Sequence, residues 1–133
     1  MLVVSAAVVE REGRVMLCQR LPDAHNPLKW EFPGGKLEPG ENPEAALARE
    51  LREELDISVV VGHVRDVVFF RYPDRDVLVL FYGCKIIGGE PSTVGCNAIA
   101  WAKPEEMGGY DFAGADLAFV KRNYAGWGNV MQN

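Results

Sequence analysis

Glu50, Glu53 and Glu54 stand three and four residues apart in a segment of helical character, so their carboxylates project along a single stripe. They repel one another. On an exposed helix each like-charge pair costs only about 0.2 to 0.5 kcal/mol, so the stripe alone fits a solvated helix face. It fits a cation site equally well, because clustered carboxylate oxygens suit hard divalent ions such as Mg2+ or Mn2+, which keep part of their water and bridge to substrate phosphates.

Fixed intervals surround the stripe: Gly35, five residues, Glu41, seven residues, then Arg49-Glu50-Leu51-Arg52-Glu53-Glu54-Leu55-Asp56-Ile57. This resembles the signature of the Nudix hydrolases, G-x5-E-x7-R-E-U-x-E-E-x-G-U, in which U is a bulky aliphatic residue. Every fixed letter but one is matched, and Leu51 and Ile57 fill the U positions. The exception is Asp56, which replaces the last glycine where the helix should end. A left-handed residue commonly closes a helix, and Asp tolerates that conformation better than most side chains, so a modest strain is expected there.

The resemblance continues outside this box. Asp23-Ala24-His25, Lys29-Trp30-Glu31-Phe32-Pro33-Gly34-Gly35-Lys36, Tyr72-Pro73-Asp74-Arg75 and Asp111-Phe112 are similar to segments of the MutT-type branch, the nucleoside triphosphate pyrophosphohydrolases. That branch acts on oxidised guanine nucleotides such as 8-oxo-dGTP, in sanitation of the nucleotide pool, or on CTP and other pyrimidine triphosphates. The implied chemistry is hydrolysis by water attack at the β-phosphorus, releasing a nucleoside monophosphate and pyrophosphate. The resemblance implies metal ligation by Glu50, Glu53, Glu54 and the Gly34 carbonyl, with Glu53 or Glu50 as general base. Arg49 is expected to orient a box carboxylate such as Glu41. Positioning and electrostatics should dominate, since phosphoryl transfer leaves the protein little covalent work.

Substrate contacts follow the same resemblance. Arg20, at the end of a strand, matches a phosphate-contacting arginine, although a surface ion pair would equally suit it. Lys36 follows the Gly34-Gly35 turn and can reach phosphate. Asp116 aligns with a position that meets the base edge, its bland reading being a helix cap; Tyr72 and Phe112 either stack on the base or belong to the core. Trp30 resembles the CTP-type members. Where relatives carry a further metal-linked glutamate, residues 92–97 hold no carboxylate, and Glu90 is the nearest one. A non-catalytic Nudix-fold nucleotide-binding domain is the alternative from another class, but such a domain would have lost box carboxylates that this chain keeps.

The elements that must position these groups can be read from pattern and punctuation. Val3 to Val9 and Arg14 to Arg20 form strands around the Glu12-Gly13 turn, and residues 59–72 and 77–87 form two more around Tyr72-Pro73-Asp74-Arg75. Asn42 caps the box helix, Pro43 suits its first turn, and Leu47, Leu51 and Leu55 make its apolar stripe. Ala98 to Trp101 reads as a short strand, Pro104 to Met107 as a helical turn, and Ala115 to Tyr124 as the last helix. This order favours an α+β class, an α/β sandwich, and the resemblance implies the Nudix fold with a mixed β-sheet between α-helices.

With 133 residues, 48% hydrophobic and 25% charged, and no repeat or linker, the chain is expected to be one domain spanning 1–133. The net charge of −5 argues against a nucleic acid polymer as partner but allows a small-molecule nucleotide that arrives with its metal. No apolar run approaches the ~20 residues of a membrane span, and Met1 to Val9 lacks a secretory pattern. A cytoplasmic protein, monomer or homodimer, is expected. Cys18, Cys84 and Cys96 form no CxxC pair, so they read as reduced structural thiols. His25 and His63 make no metal pattern and are assigned loop or surface roles.

Overall fold

The computed structural model describes residues 1–124. Glu12 and Gly13 both take positive φ, 53° and 75°, the requirement of a tight primed turn, and they join β1 (Leu2–Arg11) to β2 (Arg14–Gln19) as an antiparallel hairpin. Two short strands follow, β3 (Trp30–Glu31) beside β2 and β4 (Gly34–Lys36) beside β1. Helix α1 spans Pro43–Leu55. Long strands β5 (Ser58–Arg71) and β6 (Asp76–Gly88) pair antiparallel around a turn in which the Tyr72 amide donates to the Arg75 carbonyl at 2.9 Å. After β7 (Ala98–Ala102) and a 3-10 turn at Pro104–Gly109, α2 (Gly114–Asn123) ends the described chain.

The sheet order is β3-β2-β1-β6-β5, with β4 also on β1 and β7 on β2. It is mixed, because β1 runs parallel to β6 from Leu2↔Val77 to Val9↔Cys84. Alternation along β1 feeds two cores at once. Ala6 and Val8 join Val15, Leu17, Phe81 and the α2 residues Phe119 and Val120, whereas Ala7 and Val9 join Met16 and Leu47, Leu51 and Leu55 of α1. The three leucines are fully buried. The sheet therefore lies between two helices, as the α+β sandwich requires.

Local chemistry fixes α1 at both ends. The Asn42 side chain accepts from the Ala45 amide at 2.7 Å, and Pro43 opens the first turn. Asp56 closes the helix at φ 58° and ψ 40°, its amide donating to the Arg52 carbonyl at 3.1 Å. The aspartate thus adopts the left-handed geometry that a glycine would take without strain. Ser5, buried in β1, donates from Oγ to the Pro43 carbonyl at 2.9 Å and ties the helix to the central strand.

Candidate active site

Two backbone approaches build the end of the site that holds the carboxylate stripe. A Cβ on Gly34 would collide with the Ser5 carbonyl of β1, and one on Gly35 would lie 2.5 Å from the Glu50 carboxyl carbon. Gly34 thus lets β4 lie against β1, and Gly35 leaves room for the Glu50 carboxylate in its present position. The Glu50 carboxylate consequently rests against the β4 backbone, with its side chain 15% exposed.

Arg49 organises the box. Its Nε and Nη2 donate to the two Glu41 carboxylate oxygens at 2.6 and 3.0 Å, and its Nη1 reaches Glu50 at 3.1 Å and Glu53 at 3.3 Å. Glu38 lies 3.3 Å from the same nitrogen. The forked hydrogen bond holds the Glu41 carboxyl below the usual range, and it raises the arginine further above its own. Arg49 therefore meets Glu41 as the sequence led us to expect, and spans two of the stripe carboxylates besides.

Burial pushes the Glu54 carboxyl up to about 8, and Glu50, Glu31 and a hydrogen bond with Glu50 add to the rise. Two carboxyls held this close together mark a place where a cation would relieve the repulsion. Glu53, more exposed, turns toward Arg49. Among the described residues no three carboxylate, imidazole or thiol groups already close around one point. The donors within reach are carboxylate oxygens, with the β4 backbone alongside, a set that fits a hard divalent ion and not a soft one.

A cavity of 680 Å3 extends from Glu54 and the Gly34–Lys36 strand to Asp116 of α2. Such a volume lies within the roughly 300 to 1,000 Å3 of small-molecule sites. Val4 and Ala6 of β1 and Val77 and Val79 of β6 give it an apolar wall, while Arg20, Lys36, Glu31, Tyr72, Asp74 and Arg75 add polar groups. Arg20 donates to the His25 carbonyl at 2.5 Å and to Glu31 at 2.8 Å. Arg20 lines the cavity and is held there by an ion pair with Glu31, the alternative that its sequence position allowed.

Asp116 accepts from the Phe32 amide at 3.3 Å. Burial and the neighbouring Glu31 push its carboxyl up to about 8, against the smaller opposing effects of that amide and of Arg20. Tyr72 lines the cavity, and its hydroxyl accepts from the Ala115 amide at 3.1 Å. Phe112 does not. It is 4% exposed and its ring stacks on Phe32 at 5.8 Å, within the core, so the expectation of a base-flanking Phe112 gives way to a packing role. Glu90 is also elsewhere, 3.2 Å from Arg11 and 80% exposed at its side chain.

Sequence reasoning gave Glu31 no role and His25 only a loop or surface one, whereas both line the cavity. Glu31 stands opposite Cys18 in the β2–β3 pairing, and burial raises its carboxyl while Arg20 holds it down. Its position in the segment 29–36 was the available signal. The three cysteines are free and buried, as expected, and Cys18 and Cys96 share a hydrogen bond that raises the Cys18 thiol. The 92–97 loop carries no carboxylate into the site; instead the Gly95 amide donates to the Glu54 carbonyl at 2.9 Å, and that glycine packs against the Glu54 side chain.

Fold and site together define a hydrolase built around a carboxylate-bearing helix. The NUDIX domain model matches residues 1–122, and the chain belongs to that family, whose hydrolases generally need a divalent metal. A CTP pyrophosphohydrolase of Escherichia coli K12 is 36% identical over 126 residues, covering 91% of this chain and 90% of that protein. An 8-oxo-dGTP diphosphatase of Proteus vulgaris is 39% identical over 80 residues, 60% of this chain and 71% of its own length. The crystal structure of a MutT NUDIX hydrolase from Burkholderia pseudomallei gives a TM-score of 0.82 at 25% identity, covering 92% of this chain and 97% of that one. Among the described residues no helix is long and apolar enough to cross a membrane.

Proposed function

We propose that the chain hydrolyses a (deoxy)nucleoside triphosphate with an oxidised or modified base, of the 8-oxo-dGTP kind, to the monophosphate and pyrophosphate, using Mg2+ or Mn2+. The observation that carries this reading is the single cavity connecting Glu54 of α1 with Asp116 of α2. One end suits metal and phosphates, the other a base.

Glu50, Glu53, Glu54 and the Gly34 carbonyl would hold a divalent ion, which would supply charge neutralisation at the phosphates and a more acidic attacking water. The chain's own groups complete the arrangement. Arg49 fixes Glu41 and steadies Glu50 and Glu53, Arg20 and Lys36 face phosphate oxygens, and Glu53 or Glu50 accepts the proton of the water that attacks the β-phosphorus. A neutral Asp116 carboxyl both donates and accepts, matching a base edge that offers one of each. Guanine and cytosine edges both do so.

A second reading, a CTP or related pyrimidine triphosphate as preferred substrate, is favoured by the near full-length similarity to the E. coli CTP pyrophosphohydrolase. In either case residues 1–133 act as one Nudix unit, a cytoplasmic monomer or homodimer without a nucleic acid polymer as partner. Pyrophosphate release from 8-oxo-dGTP, dGTP, dCTP and CTP with Mg2+ tests the function, and ranking kcat/KM identifies the base. Glu53→Gln should lower kcat roughly 10²- to 10⁴-fold. No release from any triphosphate, or an undiminished rate in the variant, would overturn the catalytic reading.

A further inference from the structure

The N-cap position of α2, held by Ala113, supplies no side-chain acceptor. The acceptor comes instead from another element: the Tyr72 hydroxyl receives the Ala115 amide at 3.1 Å. The fit is close, since a Cβ on Gly114, at φ 55°, would run into that same hydroxyl. Tyr72 is also the first residue of the β5–β6 turn, where its amide and carbonyl both pair with Arg75, at 2.9 and 3.3 Å. Its ring is seated on Phe70, with centroids 4.6 Å apart.

One side chain thus joins two walls of the cavity, the turn bearing Asp74 and Arg75 and the helix bearing Asp116. We propose that the Tyr72 hydroxyl is a positioning group that locks this turn onto α2 and thereby fixes the width of the base-binding end of the cavity. The inference rests on the triphosphate reading above and deepens it. Tyr72 acts on specificity through the placement of Asp116, rather than by stacking alone. Hydrogen bonding of this kind discriminates between bases only if the carboxyl and the opposite wall keep a fixed separation.

Separating this role from ordinary helix capping requires two substitutions. Tyr72→Phe keeps the ring and removes the acceptor. Ala113→Ser places a hydroxyl at the N-cap, where it can accept from the same first-turn amides, so it restores the cap without restoring the tie to the turn. In the full-length protein, Tyr72→Phe should lower the melting temperature, and adding Ala113→Ser should recover it. The ratio of kcat/KM between the best and worst of 8-oxo-dGTP, dGTP, dCTP and CTP should fall about tenfold in Tyr72→Phe and stay low in the double variant, roughly the loss expected for one misplaced hydrogen-bonding wall. Amide hydrogen exchange at residues 72–76 should be faster in both variants. An unchanged ratio in Tyr72→Phe, its recovery on adding Ala113→Ser, or unaltered exchange at residues 72–76 would each overturn the proposal. If the unmodified protein turned over none of the triphosphates, the substrate reading would fall, and the exchange measurement would still decide whether Tyr72 ties turn to helix.

Discussion

Asp116 shows how placement changes the chemistry of a residue. An exposed aspartate ionises near 3.8, whereas burial beside Glu31 lifts this one to about 8. Its folded form therefore keeps a proton that the unfolded chain releases, and stability must fall as pH rises through the interval between those two values. Asp116→Asn removes this dependence. Relative to the unmodified protein, the variant should gain stability at pH 8 over pH 5, read from urea midpoints at the two pH values; parallel pH curves would contradict the assignment. The Arg49–Glu41 fork was within reach of the sequence through the family resemblance, which implied that Arg49 orients a box carboxylate such as Glu41. The burial of Phe112 was not, since an aromatic near a helix start looks the same whether it faces a cavity or stacks on another ring.

At the scale of elements, α1 was the most readable part, with its cap, proline and leucine stripe all agreeing, and the structure starts it at the expected proline. Strands β3 and β4 escaped notice because two or three residues carry no periodicity, and their pairing with β2 and β1 depends on segments outside any local pattern. Those strands nonetheless bring Glu31 and the Gly34-Gly35 backbone to the site. Gly35→Ala should lower kcat/KM roughly 10- to 100-fold by displacing the Glu50 carboxylate, while circular dichroism reports an intact fold. Undisturbed kinetics would mean that β4 does not constrain Glu50. The left-handed Asp56 gives the opposite kind of prediction. Asp56→Gly should stabilise the protein by about 0.5 to 1 kcal/mol in denaturant unfolding, since glycine takes positive φ without steric cost; a loss of stability would show that the aspartate side chain has a role of its own.

For the molecule as a whole, the sandwich places the carboxylate stripe and Asp116 on different helices. The helices α1 and α2 pack on opposite faces of one sheet, each with its own core, and the cavity that links them is walled by β1, β6 and the β3–β4 segment. The class of fold was readable from the order of elements, but the parallel β1–β6 pairing that sets this geometry has no local signature. The net charge of −5 is consistent with a substrate whose phosphates arrive already bound to a cation. Attack by water at the β-phosphorus of a nucleoside triphosphate can be read from hydrolysis of 8-oxo-dGTP and CTP with Mg2+ in 18O-labelled water. Attack there yields a nucleoside monophosphate without label and pyrophosphate carrying one 18O atom; label in the monophosphate, or release of orthophosphate and a nucleoside diphosphate, would rule it out.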